Sequence, residues 1–293
     1  MPNSIAYAQK FVPIIDNIYK AASVTAGMDA ATRPDFTGVN EVKVLKVSTT
    51  GLGDYSRANG YPKGDVTAAW ETMKLTEERG KEISVDRMDD EETLGLTFGT
   101  VTGEFMRLHV IPELDAYRFS KYASAAGITT ATAATLDKDT IIPAFDEASR
   151  QMDEDEVPQE GRVLYISSDL KPVLNSALTR MYGNEAAVNT TLSDYNGMAI
   201  KYVPKTRFYT GITLNDGSTN WGYAKTSGAS DINFMIIYPA AILQVEKFAL
   251  PKIFTPDENQ DKDEWKFQFR LYHDAFVYEN KAKGIYLHKA PTT

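Results

Sequence analysis

The sequence predicts an α+β chain, and three features point that way. Valine-rich runs alternate with charges, one apolar stripe of helical period far exceeds the usual helix length, and short strands and helices alternate in the middle. At 293 residues the chain corresponds to about two domains, or one large domain with appendages. Apolar residues make up 43% and charged residues 24%, the balance of a folded chain. No run of about 18 apolar residues occurs, so no membrane span is expected. The first twenty residues lack a basic segment leading into an apolar core, so no secretory signal is expected either. With no cysteine, disulfides, thiolate nucleophiles and cysteine metal sites are excluded. Forty acids against 31 bases give a net charge of −9, which argues against a surface built to grip phosphate backbones.

Taken in order, residues 1–38 form a first region. Ile5, Phe11, Ile14, Ile15 and Ile18 have partly helical spacing, interrupted by Pro13. Small residues with Gly27, Pro34 and Gly38 then indicate an extended arm, either frayed or ordered by a neighbour. Residues 39–87 read as a long β-ribbon. Its ascending arm is residues 39–47, and its tip carries Gly51, Gly53, Gly60, Pro62 and Gly64. The descending arm runs through Met73, Leu75, Ile83 and Val85. Arms of ten residues reach about 30 Å at the rise of a strand, and a bare two-stranded ribbon is marginal in water.

Residues 88–127 read as one long helix. Asp89 or Asp90 caps it, because a short side-chain oxygen satisfies free first-turn amides, and Glu91 and Glu92 suit its positive end. Leu94, Phe98, Val101, Phe105 and Leu108 form its stripe, Pro112 is expected to kink it, and Gly127 to stop it. Continuous from Thr93 to Ala126, it would span about 50 Å, against a usual helix of about 11–12 residues.

Residues 128–241 read as a compact α/β lobe. Helices are expected over about 141–155 and 169–182, the second closed by Gly183. Strands are expected at 162–166, 198–203, 207–209 and 232–238, with loops at 192–197 and 214–230. In residues 242–293 long strands return. One covers 242–254. After an acidic loop, another alternates Trp265, Phe267, Phe269 and Leu271 with Lys266, Gln268 and Arg270 and continues to Tyr278.

Signatures of chemistry are weak. The acidic run 257–264 looks like a calcium loop, but Lys262 and Gln268 stand where an EF-hand requires glycine and a bidentate glutamate. His109, His273 and His288 form no metal-ligand spacing and read as structural. Gly51 and Gly53 lack the third glycine and following helix of a dinucleotide site, and neither a nucleophile elbow nor a phosphate-binding loop is present. Asn189 begins a glycosylation sequon that has no meaning without secretion. No catalytic, cofactor-binding or metal site is therefore assigned, and no enzyme activity is expected. The charged cluster Glu77, Glu78, Arg79, Lys81 and Glu82 has two readings, an exposed strand end or a set of inter-subunit ion pairs that fix register.

A ribbon, a beam-like helix and a very long strand are oversized for a self-contained globule. They suit a plate that tiles with copies of itself. The order of these elements also resembles the major capsid proteins of tailed bacteriophages, whose Hong Kong 97-like fold is shared with encapsulin shells. The stretches LTEERGKEISVDRMDDEE (75–92), VIPELDAYR (110–118), DINF (231–234), IFTP (253–256) and YHDAFVYENK (272–281) are similar to versions from phages and prophages of Gram-positive bacteria. The likeness covers about residues 39–289.

The resemblance implies an N-arm (1–38), an E-loop ribbon lying over an adjacent subunit (39–87) and a P-domain spine helix (88–127). It further implies an A-domain around capsomer centres (128–241) and P-domain return strands (242–293). It implies hexamers and pentamers of an icosahedral head enclosing double-stranded DNA without sequence-specific contacts. A scaffolding protein and a portal would act during assembly, a decoration protein is a further possible partner, and no cofactor or membrane is implied. The protein would reside in the virion and assemble in the host cytoplasm. The alternative within the same fold is an encapsulin-type shell around enzyme cargo. A lysine–asparagine cross-link, known in some members, is not assigned to Lys63, Lys74 or Lys81.

Overall fold

The computed structural model describes residues 23–28, 41–58, 60–61, 63–92, 97–181 and 192–292. The expectations for residues 1–22, for most of the 21–38 arm, for the helix around Leu94 and for its neighbour's stop at Gly183 lie outside these residues. The chain divides into two compact units, Ala31–Glu77 and the pair of segments Met1–Ala30 and Glu78–Thr293.

The smaller unit is the ribbon. Strand β1 (Glu41–Thr49) pairs antiparallel with β2 (Val66–Lys74) in unbroken register from Glu41 opposite Lys74 to Thr49 opposite Val66. β-Branched residues favour this pleated conformation, and the glycine-rich tip between the strands turns the chain. The ribbon ends at Lys74, earlier than the sequence indicates. The next strand, β3 (Glu77–Asp86), takes a different partner, as the edge of a three-stranded sheet. Gly80 shows why it fits there: a Cβ at this position would stand 3.0 Å from the carbonyl oxygen of Phe269.

In the larger unit, α1 (Arg87–Glu92) follows β3 directly. Asp86, not Asp89 or Asp90, supplies its cap, its carboxylate accepting the Met88 amide at 2.9 Å. Asp89 and Asp90 fall inside the first turn, where their charge still complements the helix dipole. Helix α2 (Thr97–Phe105) runs through a π-helical turn, Met106–Val110, into α3 (Ile111–Ser124). The amide of Ile111 bonds the carbonyl of Met106, five residues back. Pro112 offers no amide, and the widened turn before it absorbs that loss, so the expected kink takes the form of a π turn. The helix ends at Ser124, and Gly127 adopts a φ of +83° just beyond it.

The lobe is a six-stranded mixed sheet buried on both faces. Its members are β4 (Thr129–Thr130), β5 (Val163–Ser167), β6 (Asp194–Tyr195), β7 (Met198–Val203), β10 (Ile232–Ile237) and β13 (Ile285–Lys289), in the order β4-β13-β10-β5-β7-β6. Every residue of β10 is buried, as a central strand requires. Leu164, Ile166, Phe234 and Ile236 face α4 (Ile141–Glu154) and α5 (Lys171–Met181). Tyr165, Met235 and Ile237 face Phe119 and Tyr122 of α3.

Three expectations for the lobe change, the first being that the loop expected at 192–197 holds the short strand β6, paired antiparallel with β7. Residues 205–207 form a 3-10 turn in place of a strand at 207–209, where only a single bridge joins Tyr209 to Asp231. The expected loop at 214–230 contains a hairpin, β8 (Ile212–Leu214) with β9 (Tyr223–Lys225). The long return strands are present as β11 (Ile242–Phe254) and β12 (Glu264–Val277), which pair antiparallel with β3 outside β12. The last strand, β13, joins the lobe by pairing with β10, where its alternating Ile285, Tyr286 and Leu287 are buried on the two faces.

Candidate functional site

On the ribbon, cross-strand pairing places Leu45 opposite Trp70, Val47 opposite Ala68 and Thr49 opposite Val66, all on one face because side chains alternate along each strand. Leu45 is 49% exposed and Trp70 64%, and Val47 and Val66 are exposed beside them. Tyr55 and Tyr61 add exposed rings at the tip, with centroids 4.9 Å apart. An apolar stripe along a two-stranded ribbon is a surface made to be covered.

In the larger unit, β3 sorts the sequence-predicted charged cluster onto two faces. Glu78 and Glu82 point outward, where they meet β12. Arg270 donates to Glu78 through Nε at 2.6 Å and through Nη2, and Glu82 accepts from Gln268 at 2.6 Å and lies 3.9 Å from Lys266. Glu77 accepts from its neighbour Thr76.

Arg79, Lys81, Ile83 and Val85 turn inward. The Arg79 guanidinium grips Glu113 of α3 with two bonds, Nε to Oε1 at 2.6 Å and Nη2 to Oε2 at 3.2 Å. It also donates to the carbonyls of Asn215, at 2.7 Å, and Gly222, at 3.4 Å. One side chain thus joins a strand, a helix and the β8–β9 hairpin. The Lys81 ammonium stands 4.8 Å from the Trp221 ring and 5.6 Å from Phe105, an arrangement of cation–π contacts. Trp221 folds across its own turn because Gly217, at φ +83°, leaves room: a Cβ there would approach the indole to 2.9 Å.

Behind these residues lies a cavity of about 110 Å³, walled by Phe105, Val110, Leu114, Phe269 and Leu271, with His273 also lining it. Burial, reinforced by the positive charges of Arg118, Arg79 and Lys121, lowers the His273 pKa to about 3, so the ring is neutral near pH 7. Among the described residues its Nδ1 has no hydrogen-bond partner.

Neither Glu113 nor Trp221 stands out in the sequence. Nothing local links Arg79 to an acid 34 positions away, and Trp221 lies in a segment that reads as loop. Among the described residues no group of three or more histidines and carboxylates could hold a metal ion. The acidic run instead faces cations, with Asp257 and Asp263 each 3.6 Å from Arg87 and Asp261 3.3 Å from Lys266. His288 contacts Asn233 at 3.1 Å.

Among solved structures, the chain is similar to the capsid of cyanophage P-SCSP1u, with a TM-score of 0.63 and 14% identity, over 90% of this chain and 88% of that one. A structure from Gordonia phage Cozz gives 0.63 and 13% identity over 92% and 87%. The chain has the fold of phage capsid subunits. A virus-like particle from Pyrococcus furiosus shares that capsid fold at a TM-score of 0.58 and 11% identity, over 96% of this chain and 99% of that one. No protein-family model matches the sequence, and no curated protein matches it. The resemblance read from the five sequence stretches therefore holds at the level of the fold.

Proposed function

We propose that this chain is the major subunit of an icosahedral phage head, a structural protein that assembles into hexamers and pentamers around double-stranded DNA. The observation that carries the reading is the exposed apolar face of the ribbon, on a chain whose fold matches a phage capsid over nine-tenths of its length. Its occupant is a second copy of this chain. Covering Leu45, Val47, Val66 and Trp70, each about half to two-thirds exposed, contributes roughly 4–6 kcal/mol per ribbon. Repeated around a closed shell, contacts of that size reinforce one another, because a subunit leaves only by breaking several at once.

On this reading the β1–β2 ribbon acts as the E-loop, the long helix as the spine, the lobe as the A-domain and the β11–β12 hairpin, with β3 along its edge, as the core of the P-domain. A scaffolding protein and a portal would take part in assembly, a decoration protein would bind outside, and the product would be a virion formed in the host cytoplasm. Of the charged cluster, Glu77, Glu78 and Glu82 would meet a neighbour only by sharing or exchanging the contacts they make in their own subunit, Glu77 with Thr76, Glu78 with Arg270 and Glu82 with Gln268 and Lys266. Arg79 and Lys81 act within the subunit, as their contacts with Glu113 and Trp221 support. The net charge of −9 suits a container whose DNA is not gripped by sequence.

The test is expression of the intact chain, alone and with the scaffolding protein of its own gene neighbourhood, followed by negative-stain microscopy and sedimentation. Rings or closed shells are expected, and a Leu45→Lys, Trp70→Glu double variant, whose opposite charges face each other across the ribbon, should remain unassembled while melting within about 1–2 °C of the parent, because both side chains are exposed. A chain that stays monomeric at high concentration in both settings overturns the reading. Shells that enclose an enzyme encoded beside this chain, with no scaffolding protein needed, would overturn the DNA-filled head in favour of an enzyme-cargo compartment.

A further inference from the structure

The cavity beside Arg79 lies wholly within the larger unit, between β3, β12, the long helix and the β8–β9 hairpin, and measures about 110 Å³. Its deep walls are Val110 and Leu114 of the helix and Phe269 and Leu271 of β12, all buried. His273 lines it too and, as a neutral imidazole, adds no charge. His109 and Val110 belong to the π turn, so the widened part of the helix is the part that borders the space.

The mouth has a different chemistry. His109 and Trp221 are exposed there, and the Phe105 ring lies 5.9 Å from the His109 ring. Three charged side chains stand among these rings. Arg79 and Glu113 neutralise each other, because the guanidinium holds both carboxylate oxygens. Lys81 is not neutralised. Among the described residues no carboxylate pairs with it, and its ammonium rests on the rings of Trp221 and Phe105. A ring face attracts a cation but leaves its charge in place and its N–H donors open to an acceptor. The result is an apolar pocket of fixed size with one uncompensated cation at its opening.

Together these features select one kind of ligand. Water fits the volume but not the walls, since a stably held water needs about two to four polar partners. A cationic ligand would meet Lys81, and an uncharged apolar one would leave the ammonium unused. An anion with a short apolar tail satisfies both ends. At ~30 Å³ for a water-sized group, the space takes a tail of about four carbons, and it is smaller than the cavity of about 150 Å³ that admits benzene. We propose that this cavity binds a small branched-chain monocarboxylate, with the tail against Val110, Leu114, Phe269 and Leu271 and the carboxylate on the Lys81 ammonium. The inference concerns a single subunit and does not rest on the shell reading.

The test is calorimetric titration of the intact chain at neutral pH and low salt with isovalerate, acetate and isoamyl alcohol. Isovalerate is expected to bind in the millimolar range. Acetate lacks three of its carbons and should bind about fifty-fold more weakly, at ~0.8 kcal/mol for each buried carbon. Isoamyl alcohol keeps the tail without the charge and should bind about tenfold more weakly, the loss of one hydrogen bond between charged groups. Lys81→Met should weaken isovalerate by about the same tenfold and leave the alcohol unchanged, while Lys81→Arg keeps the preference for the acid. Equal losses for acid and alcohol in Lys81→Met would show that Lys81 acts only by holding Trp221, which overturns the carboxylate assignment. Acetate binding as tightly as isovalerate overturns the tail pocket. No binding of any of the three to the parent overturns the site and leaves the space to water or to a side chain of a second copy. The three-ligand comparison on the parent decides the proposal even if a Lys81 variant fails to fold.

Discussion

Arg79 gives the most stringent test of how the larger unit is held together. Replacing it by methionine keeps the aliphatic stem and removes every bond the guanidinium makes. Glu113 is then left without its bidentate partner, and the carbonyls of Asn215 and Gly222 lose a donor. Breaking a fully buried pair costs about 3–5 kcal/mol, but the side chains here are 24% and 16% exposed, so solvent screening reduces the expected loss to about 2–3 kcal/mol. For a chain of this size that corresponds to a melting temperature lower by about 4–10 °C. The Arg79→Met, Glu113→Gln double variant should recover part of the loss, with a coupling energy of about 1–2 kcal/mol. Trp221 supplies an independent signal, since the hairpin that carries it loses two bonds to Arg79, and native-state emission should shift to the red. A coupling below about 0.5 kcal/mol together with unchanged emission would refute the claim that this ion pair anchors the hairpin.

Acid should weaken the protein through His273. Its folded pKa of about 3 lies below the unfolded value of 6.5, so between those limits the unfolded chain binds more protons and stability rises with pH. The contribution is complete above pH 6.5 and is lost as pH falls, by about 2 kcal/mol at pH 5. Denaturant melts of the parent and His273→Gln at pH 7.5 and 5 should converge by that amount, and parallel curves would count against it. Gly284→Ala places a methyl 2.6 Å from the Cβ of Ala241, between chain segments that cannot both retreat, and should cost about 1–3 kcal/mol in calorimetry.

How much of this was legible beforehand follows from the range of each interaction. The strands at 198–203 and 242–254 are legible from local patterning, and so are the helix opening after Thr140 and the stop at Gly127. The position of Pro112 foretells a disturbance in the long helix, but a π turn and a kink are alternatives that neighbouring packing separates. The hairpin carrying Trp221 was hidden because its strands are three residues each, too short for a period to register. Asp115 and Arg118, three apart on α3 and both buried, are the one local signal of a buried polar cluster there. Its partners, Ser23 and Thr25, lie some ninety positions away.

By itself the sequence determined most of the longer elements, among them the β1–β2 ribbon, the helical run before Gly127 and the long return strands, and the absence of cysteine chemistry, because alternation, helical period and residue type are properties of neighbours in the chain. Only the tertiary structure decided that β3 leaves the ribbon for β12, that β13 completes the lobe and that Arg79 faces Glu113. Those choices depend on which of several similar edges and charges meet at a distance, and many pairings satisfy the same local pattern until the packed core selects one.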